Sequence, residues 1–438
     1  MTKLGILINH YDARNDVRDL VEELSKRTNV VLISSDKDLR LPVPQGVEVR
    51  YLKAAHHARR WIWSRIFRWF GRLPKTRENY RINELFKFGR LSWARRIVAN
   101  AQLALQMMMP RVISINFYMD RVAKCDQTPL DDISEFLLFT EFSDVPVTAR
   151  ICNSGRPSWG YLYSWDHPCK HTVLTDRLTG YMAWNARLVD DLVLLQEIPR
   201  LKCHVVGATQ LAPIASFLIS NGDGREAVSG LEGRPYFYFG CGTGYPNLVR
   251  EEVALLEKLA DAIAIEFPQH LLLVRPYPMF NDDSFMGSLR KRPNVRMDDG
   301  YRSRQAGRGL AGTDVSARLL AQSRCDAFLH VGTTMGFEGA YLGTPTVFIN
   351  LATAEDATGA NLSTFAKQYH VQKYLCGDYP MVVRTVDEAV RVLRMIAKNP
   401  RLAAEYNCFV AGGAPLLRMS EIAERILGMM GARPRHHG

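Results

Sequence analysis

Short unbroken apolar runs alternate along this chain with longer stretches in which apolar residues recur every third or fourth position. The first pattern marks strands buried on both faces, the second amphipathic helices. Residues 4–9 open as a strand, 15–27 as a helix and 30–34 as a second strand, so a parallel βαβ unit begins at once. Strands are expected again at 136–140, 159–164, 180–184 and 204–207, with a short helix between the first two and another at 187–196. A second alternating series places strands at 236–239, 271–274, 295–297, 327–330 and 346–350, and helices at 248–267, 315–323 and 335–342. Helices at 386–398 and 420–427 close the chain, and the Gly/Ser/Glu-rich stretch 221–233 reads as a linker with little to give a core. The expected fold is α/β, with two doubly wound Rossmann-like domains facing across a cleft. The domains are expected at 1–220, with a basic insertion over 52–100, and at 221–415, followed by a closing helix and tail at 416–438.

At 438 residues, 47% apolar and 23% charged, the composition excludes a small binding module and a disordered chain. Eight scattered cysteines include no C-x-x-C pair, so they read as reduced thiols rather than zinc or redox ligands. No charged segment followed by a long apolar run opens the chain, and no apolar run approaches the roughly 20 residues of a spanning helix. A cytoplasmic location is the expectation.

The net charge of +11 is concentrated: residues 56–96 hold twelve Lys/Arg against two acids, with Trp61, Trp63, Trp69 and Trp93 among them. On a helix Arg65, Arg68 and Arg72 share one side, while Ile62, Ile66, Trp69, Phe70 and Leu73 fall on another. A basic helix with tryptophans beside its apolar stripe suits the plane of an anionic bilayer, here the inner leaflet. The expected membrane-binding residues are Arg65, Arg68, Arg72, Trp61, Trp63 and Trp69. No nucleic-acid module accompanies the patch, so no nucleic-acid partner is expected.

Three segments offer phosphate-binding chemistry. Gly240-Cys241-Gly242-Thr243-Gly244 follows a strand, and its glycines would let a phosphate approach the backbone. Arg275-Pro276-Tyr277-Pro278 ends another strand with a guanidinium able to grip an anion. His330-Val-Gly332-Thr333-Thr334-Met-Gly-Phe-Glu338 delivers glycine and two hydroxyls to a helix start, with Glu338 placed to accept from ribose.

Together with Ser164-Trp165-Asp166-His167, Trp184-Asn185, Val205-Val206-Gly207-Ala208 and Asp298-Asp299-Gly300, these segments resemble bacterial GT-B glycosyltransferases of surface-polysaccharide (capsule and lipopolysaccharide) clusters. Tyr277 and His167 stand where such relatives commonly have His and Asn. The resemblance implies an inverting transferase that moves a sugar from a nucleotide-sugar donor, without a metal or other cofactor, to a surface-glycan or lipid-linked acceptor. The donor would meet Gly242, Thr243, Arg275, Tyr277, Gly332, Thr333, Thr334 and Glu338. Transfer needs a base for the acceptor hydroxyl, and Asp166 leads the candidates, followed by Glu141, Asp12 and His10. Asp36-Lys37-Asp38 matches D-x-D but reads as a solvated turn. Two alternatives share the sequence: a sugar-nucleotide 2-epimerase of the same architecture, and a non-catalytic basic scaffold for RNA or membrane.

Overall fold

The computed structural model describes residues 3–8, 11, 15–34, 39, 41–52, 57–88, 91–139, 145–170, 173–220, 228, 230–231, 233–278, 283–298, 315–351 and 360–431. Two parallel sheets organise them. The first orders its strands β3-β2-β1-β4-β5-β6-β7, with β1 (Lys3–Leu7), β2 (Asn29–Ser34), β3 (Glu48–Tyr51), β4 (Glu135–Phe139), β5 (Ser158–Tyr161), β6 (Gly180–Ala183) and β7 (Cys203–Val205). The second orders β10-β9-β8-β11-β12-β13, with β8 (Tyr236–Gly240), β9 (Leu271–Arg275), β10 (Val295–Met297), β11 (Ala327–His330), β12 (Thr346–Ile349) and β13 (Val382–Val383). The central strands are buried along nearly their whole length, which is why they read in the sequence as continuous apolar runs.

β3 escaped the sequence reading because it is a polar edge strand. Its Arg50 is held by Glu48 at 2.7 Å and Asp132 at 2.6 Å, and Arg50 together with Lys3 pulls the Asp132 carboxyl well below its usual range. β13 has only two residues, too few for any period to show.

In each sheet the connections run outward from a central strand and then switch to its other side, between β1 and β4 and between β8 and β11. Ligands of doubly wound sheets bind at the carboxyl ends of the strands flanking such a switch. The helix Met419–Met430 returns to the first sheet, where Ile422, Ile426 and Met430 share an apolar cluster with Leu20, Val21 and Leu24 of α1 (Asn15–Ser25).

The basic insertion is several helices rather than one: α2 (His57–Phe70), α3 (Arg77–Phe88) and α4 (Trp93–Met108), followed by α5 (Ile115–Val122). α2 turns Trp63 and Phe67 inward, Phe67 stacking on Tyr118 at 4.5 Å and Trp63 meeting Phe117 edge-on at 5.9 Å. Trp63, expected at a membrane, therefore packs against α5, because positions 63 and 67 lie one turn apart on that face. Among the described residues no helix is long and apolar enough to cross a membrane.

Candidate functional site

The switch point of the second sheet sets the geometry. Register aligns Gly240, Arg275 and His330 across the ends of β8, β9 and β11, so the three phosphate-binding candidates emerge side by side. Gly332 adopts φ +122°, and a side chain there would press into the Phe365 ring at 2.9 Å. Only glycine suits that turn. A Cβ on Gly242 would stand 3.2 Å from the Gly332 carbonyl, so the two turns nearly touch.

Opposite them, β5 delivers Ser164, Trp165, Asp166 and His167. A cavity of about 660 Å³ lies between, lined from the second domain by Gly242, Thr243, Tyr277, Gly332, Thr333 and Thr334, and from the first by Asp166 and His167. Asp166 is nearly buried and accepts from Ser164 Oγ at 2.6 Å, which fixes one carboxylate oxygen. His167 meets the Tyr163 ring edge-on at 4.5 Å. The Trp165 indole N–H donates to Thr334 Oγ1 at 3.3 Å, joining the two lips. Thr334 starts its helix without a side-chain cap on the backbone.

A smaller space of about 270 Å³ continues beside Thr333 and Thr334, lined by Arg275, Tyr277, Arg318 and Glu338. Arg275 is buried and donates to Asp298 at 2.7 Å; the Tyr238 hydroxyl donates to the same carboxylate. Asp298, quoted above only for the family resemblance, thus orients the arginine. Glu338, expected to meet ribose, is buried and ion-paired with Arg318. Any ribose contact has to share that carboxylate with the guanidinium.

Behind the glycine turn lies Glu252, buried completely. Its Oε1 accepts from Gly242 N–H at 2.7 Å and its Oε2 has no hydrogen-bond partner; burial pushes the carboxyl up to about 8. His330 sits behind the other turn, where Nδ1 accepts from Gly332 N–H at 3.2 Å and burial pulls the imidazole down to about 3. Both turns are therefore held from beneath by groups that are neutral near pH 7.

Asp12, His10 and Glu141, which come after β1 and β4 in the sequence, lie outside the described residues, as does Asp36-Lys37-Asp38. Residues that sequence reasoning missed come from farther away: Asn83, Phe86 and Lys87 of α3, and Gln368 and His370, all line the larger cavity. Asn79 and Asn83 bind His370 and Gln368 across the domains at 3.3 and 3.2 Å. Their spacing, i, i+4 and i+7 from Asn79 through Asn83 to Phe86, marks a face of α3, a signal hidden by the surrounding charge. A second bridge joins fully buried Asp191 to the Tyr374 hydroxyl at 2.6 Å, the Tyr369 hydroxyl at 3.0 Å and Lys373. Among the described residues no group of three or more His, Cys, Asp or Glu is placed to hold a metal ion.

Solved structures repeat this architecture over essentially the whole chain. Staphylococcus aureus MnaA, in a co-structure with UDP, superposes with a TM-score of 0.52 at 9% identity, covering 100% of both chains. The UDP-GlcNAc 2-epimerase of Methanocaldococcus jannaschii, in complex with UDP-GlcNAc and UDP, gives 0.52 at 9% identity over 98% of this chain and 99% of that one. The chain has the GT-B fold. The UDP-N-acetylglucosamine 2-epimerase of Rickettsia bellii adds a TM-score of 0.50 at 10% identity, covering 99% of this GT-B chain and 96% of its own. No family model matches the sequence, and no curated protein matches it.

Proposed function

We propose that this GT-B protein is an enzyme acting on a nucleoside-diphosphate sugar held in the interdomain cavity. One observation leads to that reading: two glycine turns and an uncapped helix start at the switch point of one sheet open into a cavity whose opposite lip carries Asp166 and His167. Backbone N–H groups and the Thr333 and Thr334 hydroxyls suit the diphosphate, with Arg275 and Arg318 beside it. The sugar then points toward Asp166, a carboxylate chemically able to take a proton.

Epimerisation at C2 of the nucleotide-bound sugar is the first reaction to test, because the 2-epimerase structures match over the full chain. Inversion at C2 breaks the C2–H bond, its electron pair forming C1=C2 as the nucleoside diphosphate leaves C1; Asp166 would accept the proton, and the diphosphate returns to C1 as a proton adds to the other face of C2. Transfer to a glycan or lipid-linked acceptor is the second reading. It is favoured by α3, whose Asn83, Phe86 and Lys87 form a further wall of the cavity that an acceptor could meet.

The decisive experiment incubates the protein with UDP-, GDP-, dTDP- and CMP-sugars in deuterated water and follows them by NMR. A C2 epimer carrying deuterium establishes epimerisation. Nucleotide release that depends on added acceptor establishes transfer. If no sugar nucleotide binds or turns over, the proposal is wrong.

A further inference from the structure

α4 is a helix with almost no protein against it: of its 16 residues only Leu103 and Gln106 are buried. Trp93 is 78% and Met108 82% exposed, and Ile97, Val98 and Leu105 are each more than half exposed. On α2, Trp61 and Ile62 are also open to solvent. The two helices border a groove of about 740 Å³, lined by Arg65, Arg68 and Trp69 from α2 and by Ile97, Val98 and Leu105 from α4. An apolar surface this continuous marks something that covers it.

Charge selects the occupant. Neither α2 nor α4 contains an acid. Arg65, Arg68, Arg72, Arg95 and Arg96 have no acidic partner among the described residues, and Arg65 lies over the Trp61 ring at 4.2 Å. A second copy would bring these arginines against one another, which costs energy. An anionic lipid surface offers what both sets of residues lack: phosphates for the guanidinium groups and an acyl boundary for Trp93, Ile97, Val98 and Leu105.

We propose that α4, with the outer face of α2, docks this protein on an anionic bilayer. The outer face of α2 was legible in the sequence; α4, which supplies most of the apolar contact, was not. α3 links the two helices and lines the interdomain cavity with Asn83, Phe86 and Lys87, so docking would place a wall of that cavity near the lipid. That consequence, access to a lipid-linked substrate, rests on the function proposed above; the docking does not.

Cosedimentation of the full chain with phosphatidylglycerol-containing vesicles, and with pure phosphatidylcholine vesicles, tests it. Binding is expected to the anionic vesicles, to fall steeply as salt is raised, and to be weak on neutral ones. Ile97→Asp with Leu105→Asp should lower partitioning by about tenfold or more. Arg65→Glu, Arg68→Glu and Arg72→Glu together should lower it on the order of a hundredfold. Both variants should keep the thermal midpoint of the parent and its shift with UDP, a readout that reports the function separately. Three results would each overturn the docking: no binding to anionic vesicles at low salt, undiminished binding of the Ile97/Leu105 variant, or a dimer in analytical ultracentrifugation that these substitutions dissolve.

Discussion

At the carboxyl edge of the second sheet Arg275 and Arg318 are largely buried and are paired with carboxylates, Asp298 and Glu338. On α2, just after it and on α4, Arg65, Arg68, Arg72, Arg95 and Arg96 stand in solvent without an acidic partner among the described residues. The side chain is the same and the physics is not. A desolvated charge must be paired, and its position is then fixed within a fraction of an ångström. A solvated charge is screened, needs no partner and acts only through the field it adds to its neighbours. The cleft can therefore recognise one ligand geometry, while the helical insertion can respond only to a surface.

Substitutions in the two regions should differ accordingly. The largest effect is expected in the cavity. Asp166→Asn should cut turnover by about 10²–10⁴-fold, the usual contribution of a positioned proton acceptor, while calorimetric nucleotide affinity stays within error. Near-parental turnover would pass the role to His167 or to Glu141, Asp12 or His10. Arg275→Ala comes next: it removes the cation paired with Asp298 and leaves that carboxylate to the Tyr238 hydroxyl, so denaturant titration should show a loss of about 3 kcal/mol. Calorimetry should show UDP binding weakened by about 1.5–3 kcal/mol. If affinity is unchanged, the diphosphate does not lie beside Arg275.

Protonation sharpens the same contrast, because the buried supports of the glycine turns should govern the pH dependence of stability. Glu252 has a folded-state pKa of about 8, above its unfolded value near 4.5. The native state then holds a proton that the unfolded chain has released, and stability falls as pH rises between those values. His330, with a folded value near 3 against 6.5 unfolded, has the opposite sign: stability falls as pH drops through that window. The two slopes oppose each other between about 4.5 and 6.5, leaving a decline on either side. Glu252→Gln keeps an acceptor for Gly242 N–H and removes the alkaline decline. Urea melts at pH 8.5 should find this variant more stable than the parent by up to a few kcal/mol. An unchanged pH profile would mean that Glu252 titrates normally.

The smallest effect belongs to the insertion. Arg95→Gln with Arg96→Gln should alter stability by no more than about 0.5 kcal/mol in the same urea melts, since no partner is lost. A larger change would show that these arginines are structural after all, and the comparison would fail.

Both sheets and both glycine turns were legible in the sequence because each depends on a local pattern. A strand buried on two faces must be apolar throughout, and a positive φ at Gly332 excludes other residues at that position. The succession of strands and helices likewise indicated parallel sheets, and hence the edge at which Arg275, Thr333 and Asp166 would appear. What the sequence alone could not decide is what meets across the fold. Asp298 orienting Arg275, Glu338 engaged by Arg318, Glu252 beneath Gly242 and α3 reaching Gln368 and His370 all join residues that only tertiary packing makes neighbours. The same holds for the insertion: composition revealed a basic tryptophan-rich segment, but whether Trp63 or Trp93 faced solvent depended on where α5 offered a surface. Periodicity determines which residues share a face; burial and partners belong to the opposing surface, which no local pattern contains.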